Sequence, residues 1–216
     1  MTARIMDGLA VSKDVRSRLQ TRVESLRARG LTPGLAVLIV GDNPASKVYV
    51  RNKAKACGDI GMHSEIHEYA GDVPQETVLA KIAEVNADPR IHGILVQLPL
   101  PKHFDVDQVL ETISPQKDVD GFHKESLGAL LAGTPTFQPC TPHGVMVILD
   151  HYGIPLAGAD AVVVGRSNIV GKPQALMLLS RNATVTICTS KTKDLAAHTR
   201  RADVLVVAVG RPGVVT

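Results

Sequence analysis

The chain has 216 residues, room for one large domain or two small ones, and 44% of them are hydrophobic, enough for a proper core. With 3% aromatics, no Trp and a net charge of +3, it lacks both the stacking residues of a single-strand binder and the charge of a polyanion-binding surface, so no nucleic-acid partner is expected. No apolar run nears the ~20 residues that span a bilayer, and the N-terminus has no apolar signal core, so no membrane partner is expected either. Cys57, Cys140 and Cys188 are odd in number, far apart and without Cys-x-x-Cys spacing, which favours reduced thiols in a cytoplasmic setting over disulfides or a metal site.

Taken in order, residues 12–29 read as an amphipathic helix capped by Ser12, with Val15, Leu19, Val23 and Leu26 as its stripe and Gly30 as its stop. Residues 35–40, Leu-Ala-Val-Leu-Ile-Val, form a short continuous apolar run, the pattern of a strand buried on both faces. Asn43 then reads as a helix N-cap and Pro44 as the first helical residue, with the helix running to about Ile60. At roughly 100° per residue, Ala45, Tyr49, Ala56 and Ile60 share one face, with Lys53 one turn after Tyr49; Lys47 and Arg51 fall opposite. Lys53 is thus a cation on the inward face, either snorkelling past the core or aimed into a pocket.

Residues 62–69 read as a second strand, 74–87 as a helix and 91–97 as a third strand ending at Gln97. Strands alternating with helices predict a parallel α/β sheet, whose ligands sit at the carboxyl ends of strands. Gln97 and the loop feeding the Tyr49/Lys53 helix both lie at such ends. Residues 102–136 are less regular, with a short helix over 105–113 and a turn-rich loop, Pro-Gln-Lys-Asp-Val-Asp-Gly-Phe, over 115–122. Asp118 and Asp120 in that loop either close the turn or hold a multi-donor ligand. Thr141 with Pro142 predicts the start of a helix reaching Tyr152, which bridges two domains.

The alternation then restarts. Residues 161–164 read as a buried strand, followed by the loop Gly165-Arg-Ser-Asn-Ile-Val-Gly171 and a helix to about Arg181. Strand, glycine loop and helix together make a phosphate site, although the spacing is not G-x-G-x-x-G and a generic tight turn is the rival. Residues 184–188 form the next strand, and past its end an NAD site would carry an acid for the ribose hydroxyl. The chain offers Ser190 and Lys191 there, with Arg166 in the glycine loop, which suits the 2′-phosphate of NADP. A last buried strand spans 202–210, so a mononucleotide-binding half is expected rather than a full sheet of five or six strands.

Five segments in this order, Tyr49-Val-Arg-Asn-Lys53, Val96-Gln-Leu-Pro-Leu100, Lys117-Asp-Val-Asp-Gly121, Pro139-Cys-Thr-Pro142 and Gly165-Arg-Ser-Asn-Ile-Val-Gly171, closely resemble bifunctional methylenetetrahydrofolate dehydrogenase/methenyltetrahydrofolate cyclohydrolase, over essentially the whole chain. The resemblance implies two α/β domains with a cleft between them: a folate-binding catalytic domain over 1–138 and a Rossmann-like NADP-binding domain over 139–216. It also implies a homodimer. By the same resemblance Lys53, Tyr49 and Gln97 are catalytic and contact the folate substrate. Asp120 binds folate, and Gly165, Arg166, Ser167 and Ser190 contact NADP. The family continues past a sequence like Gly210-Arg-Pro-Gly with a further strand, a Pro/Gly-rich loop and a last helix, so the second domain is expected to be C-terminally incomplete.

The implied chemistry is hydride transfer from 5,10-methylenetetrahydrofolate to NADP, then hydrolysis of the methenyl product to 10-formyltetrahydrofolate. The second step needs a proton acceptor. A lysine amine is seldom neutral at its ordinary pKa of ~10.4, but burial and a cationic substrate both favour the neutral form. A glutamine can orient such an amine without adding the negative charge that would keep it protonated. Two rival readings stand beside this one. Tyr-x-x-x-Lys also marks short-chain dehydrogenases, but there the glycine loop precedes the Tyr–Lys pair. The other rival is a nucleotide-binding fragment without catalysis.

Overall fold

The computed structural model describes residues 3–216, which form two compact units: residues 7–123, and residues 124–216 together with residues 3–6. The first holds α1 (Gly8–Ala28), β1 (Gly34–Val40), α2 (Pro44–Asp59), β2 (His63–Tyr69), α3 (Gln75–Ala87), β3 (Gly93–Val96) and α4 (Val106–Thr112). Its three strands are parallel in the order β2-β1-β3. The apolar run of β1 is buried on both faces, as its composition predicts, and its side chains alternate between two cores. Ala36, Leu38 and Val40 pack with Val78, Ile82 and Val85 of α3, whereas Val37 and Ile39 pack with Val50 of α2 and Leu95 of β3. Burying each valine, leucine or isoleucine among them contributes about 1.5–3 kcal/mol.

The second unit holds α5 (Lys124–Leu131), α6 (Cys140–His151), β4 (Asp160–Val164), α7 (Gly171–Ser180), β5 (Thr184–Cys188), α8 (Leu195–Arg200) and β6 (Val204–Val207). Its parallel sheet has the order β5-β4-β6, so each unit places its first strand in the middle. Met146 and Leu149 of α6, Ala175 and Leu178 of α7 and Leu130 of α5 close one core with Ala161 and Val163 of β4. By contacts, residues 124–138 belong to this unit, although the sequence reading groups them with the first domain.

Several local expectations are corrected. Helix α1 starts at Gly8, capped by Asp7, whose carboxylate accepts from the Leu9 and Ala10 N–H groups, rather than by Ser12. Its buried residues are Val11 and Val23, while Leu19 is exposed. Helix α6 begins at Cys140 with Pro139 as N-cap, so Thr141 lies inside the first turn and makes no cap. Helices α5 and α8 were not anticipated. The last strand is four residues, shorter than the 202–210 run.

One contact in the first unit positions the 115–122 loop. Ile94 donates its N–H to the Lys117 carbonyl at 2.7 Å, Asp118 bridges Ile94 in parallel fashion, and the Lys117 ammonium reaches the carbonyls of Val85 (3.1 Å) and Asp88 (2.8 Å) at the end of α3. The loop comes so close to β3 that a Cβ on Gly93 would lie 2.4 Å from Val119 Cγ1. A β-branched side chain has little freedom to yield. Gly93→Ala is therefore expected to destabilise the protein by about 1–3 kcal/mol, with partial recovery in Gly93→Ala/Val119→Ala. Denaturant midpoints check this; an unchanged midpoint in the single variant contradicts the packing described.

Candidate active site

The connections of the first unit reverse direction at β1. Helix α2 leads to β2 on one side and α3 crosses to β3 on the other, so the carboxyl ends of β1 and β3 flank a topological switch point, where open α/β sheets bind ligands. Two elements deliver side chains there. Asn43 accepts from Ser46 N–H at 3.1 Å and Pro44 follows as the first helical residue, so α2 starts directly after β1, as the sequence predicts. Gln97 leaves β3 with its N–H on the Leu38 carbonyl at 2.8 Å, the last rung of the β1–β3 pairing.

These elements bring Lys53 and Gln97 together. Lys53 Nζ donates to Gln97 Oε1 at 3.3 Å across 44 residues of sequence, and both side chains are partly buried. Gln97 Nε2 donates to the carbonyl of Leu98 at 2.8 Å, which spends its N–H on the backbone and leaves Oε1 turned to the amine. The lysine therefore does not run out into bulk solvent. Its neighbour one turn on, Cys57, is buried, and burial pushes its thiol up, so it offers no competing nucleophile.

The remaining candidates divide. The core face of α2 is Ser46, Val50 and Cys57, not the face of Ala45 and Tyr49 that the spacing suggested. Tyr49 is 63% exposed and Ala45 is exposed as well, which leaves the phenol at the rim one turn before Lys53. Of the loop acids, Asp118 is 1% exposed and its Oδ2 accepts from His123 N–H at 2.9 Å, so it closes the loop from within. Asp120 is half-buried in the segment laid against β3.

The second unit repeats the arrangement. Gly165 ends β4 at φ +136°, and a Cβ there would lie 2.4 Å from the Ala208 carbonyl oxygen beyond β6. A Cβ on Gly171 would likewise meet the Gly165 carbonyl at 2.3 Å, so only glycines allow this tight path. Ser167 Oγ accepts from the N–H groups of Val170 (3.1 Å) and Gly171 (3.3 Å), which ties the loop to the start of α7, whose N-cap position is Val170. Beside the loop, at the carboxyl ends of all three strands, lies a cavity of 630 Å³. Gly165, Arg166 and Ser190 line it together, Ser167 does not, and no carboxylate does. A crevice with a glycine cradle, hydroxyls and cations but no acid fits a dinucleotide with an additional phosphate. Arg211 also lines it and was given no role from sequence. The signal for it was available, since it follows β6 much as Arg166 follows β4. Among the described residues no group of three His, Cys, Asp or Glu is arranged to hold a metal, and no helix is long and apolar enough to cross a membrane.

Comparison with known proteins agrees with these features. The sequence model of the tetrahydrofolate dehydrogenase/cyclohydrolase catalytic domain matches residues 6–120, and that of the tetrahydrofolate dehydrogenase/cyclohydrolase NAD(P)-binding domain matches residues 139–216. The chain is 62% identical to the bifunctional protein FolD of Paraburkholderia phytofirmans and 58% identical to that of Nitrosospira multiformis, covering all of this chain and 76% and 75% of those proteins. Among solved structures it resembles the bifunctional FolD enzyme of Campylobacter jejuni at 48% identity with a TM-score of 0.94, over 96% of this chain and 74% of that one. It also resembles the Trypanosoma brucei methylenetetrahydrofolate dehydrogenase–cyclohydrolase complexed with NADP and an inhibitor, at 37% identity and TM-score 0.94, over 99% and 74% of the two chains.

Proposed function

The chain belongs to the tetrahydrofolate dehydrogenase/cyclohydrolase family, and from that premise we infer which of its residues carry the two reactions. The protein oxidises 5,10-methylenetetrahydrofolate to 5,10-methenyltetrahydrofolate with NADP and hydrolyses the product to 10-formyltetrahydrofolate. NADP, when bound, accepts the hydride from the methylene carbon, and the protein's part in that step is to position donor and acceptor. We assign folate chemistry to the first unit and NADP binding to residues 139–216 of the second.

In the hydrolysis, water adds to the cationic methenyl carbon and must lose a proton, and ring opening then requires one at the departing nitrogen. Lys53 takes the first proton and returns the second. The observation that carries this role is the 3.3 Å hydrogen bond from Lys53 to the neutral Gln97 amide. It aims the amine without a carboxylate that would hold it protonated. Tyr49, at the exposed rim, covers the folate ring or reaches the lysine. Asp120 accepts a pair of N–H groups from the pterin edge, a charge-assisted bidentate contact. Gly165 and Ser167 shape the NADP loop, while Arg166 and Ser190 hold the 2′-phosphate. The same family reading makes the protein a cytoplasmic homodimer.

The absorbance of methenyltetrahydrofolate follows both activities: its appearance with NADP reports the dehydrogenase and its decay the cyclohydrolase. Lys53→Met is expected to lower cyclohydrolase kcat by about 10²–10⁴-fold while folate binding persists. Retained hydrolysis in that variant contradicts the assignment. Arg166→Gln is expected to reduce the preference for NADP over NAD by about 10- to 100-fold, the worth of one or two charge-assisted hydrogen bonds. An unchanged preference removes Arg166 from the 2′-phosphate site.

A further inference from the structure

The order β5-β4-β6 spreads the walls of the 630 Å³ cavity across the sheet. Ser190 lies on the β5 side, Gly165 and Arg166 follow the central strand, and Arg211 lies on the β6 side. Two arginines, both exposed, therefore line one cavity from adjacent strand ends. Three other arginines are matched by carboxylates: Arg18 by Asp14 at 2.8 Å, Arg90 by Asp88 at 2.6 Å and Arg181 by Asp150 at 2.6 Å. No ion pair or side-chain hydrogen bond engages Arg166 or Arg211 among the described residues, and no acid lines their cavity.

NADP carries its negative charge in two places, the 2′-phosphate on the adenosine ribose and the diphosphate in the middle. In a doubly wound sheet the ribose hydroxyls face the end of the strand after the glycine loop, and the diphosphate lies over the loop at the switch point. In this chain that strand is β5, and the switch point lies between β4 and β6. One cation on the central loop beside Ser190 suits the ribose phosphate, which leaves the diphosphate for a cation on the β6 side. Given the NADP reading above, on which this rests, we propose that Arg211 binds the cofactor diphosphate, a role distinct from the 2′-phosphate recognition by Arg166 and Ser190. The fixed fork of a guanidinium matches phosphate oxygens two at a time, which a lysine does only as a point charge.

The assignment separates affinity from selectivity. The test is the dissociation constant of NADP and of NAD, by titration calorimetry, for wild type, Arg211→Gln and Arg211→Lys, with thermal melts confirming that each exposed-site variant is folded. Arg211→Gln is expected to weaken both dinucleotides by a similar factor, about 10- to 100-fold, so that the NADP/NAD ratio is unchanged, and Arg211→Lys is expected to recover part of the loss. Unchanged affinity for both overturns the proposal. A loss confined to NADP also overturns it, because Arg211 would then read the 2′-phosphate. If wild type binds neither dinucleotide, the cofactor reading itself fails and this assignment with it, a result separable from an effect seen only in the variants.

Discussion

A hydrogen bond between a lysine side-chain nitrogen and a neutral amide, Lys53 Nζ to Gln97 Oε1, joins two parts of the chain that share nothing in sequence. It forms because β1 and β3 are neighbours in the sheet and both deliver their next residues to the same edge. The amide is fixed in turn by its own bond to the Leu98 carbonyl, and its backbone by the pairing to Leu38. Each of these bonds constrains the next, so the amine is held on a rigid scaffold rather than on a mobile loop. The polarity of the partner matters as much as its position. A carboxylate at Gln97 would make a stronger ion pair and a poorer base.

The two units solve the same problem with the same strand order. In each, a central strand ends in a turn that feeds a helix, and the crossover to the opposite side leaves an open edge between two strand ends. In the first unit this edge holds an amine and an amide, suited to proton transfer. In the second it is lined by Gly165, by Thr189, Ser190 and Thr192, and by Arg166 and Arg211, a set suited to phosphates. The difference between catalytic and cofactor halves lies in the few residues that follow each strand, while the buried apolar strands are interchangeable in kind.

Much of this was legible in the sequence because it depends on local rules. The apolar runs of β1 and β4 announce strands buried on both faces, and Asn43-Pro44 announces a helix start. The Lys53–Gln97 pair was legible only in combination: Lys53 reads as a cation on the inward face of its helix, and Gln97 and the loop feeding that helix both lie at the carboxyl ends of strands. What was hidden depends on tertiary packing. Helical spacing groups Tyr49 with Lys53, yet the sheet presents its surface to Ser46, Val50 and Cys57, so the phenol is left at the rim. Asp118 and Asp120 are equivalent in sequence, and only the approach of the loop to Gly93 turns one inward. Helix α5 contains Gly128 and is short, so its pattern is too weak to read; it is recognised by its Leu130 packing into the core of the second unit.

The central claim is that a neutral partner lets Lys53 act as the base, and it is tested most directly by charging that partner. The measurement is the pH–rate profile of methenyltetrahydrofolate hydrolysis in Gln97→Glu beside wild type. Because a carboxylate within hydrogen-bond reach favours the protonated amine, Gln97→Glu is expected to hydrolyse more slowly than wild type at neutral pH and to regain rate as the pH rises. A variant that keeps the wild-type profile at full rate would show that the amine facing residue 97 is not the group whose proton matters.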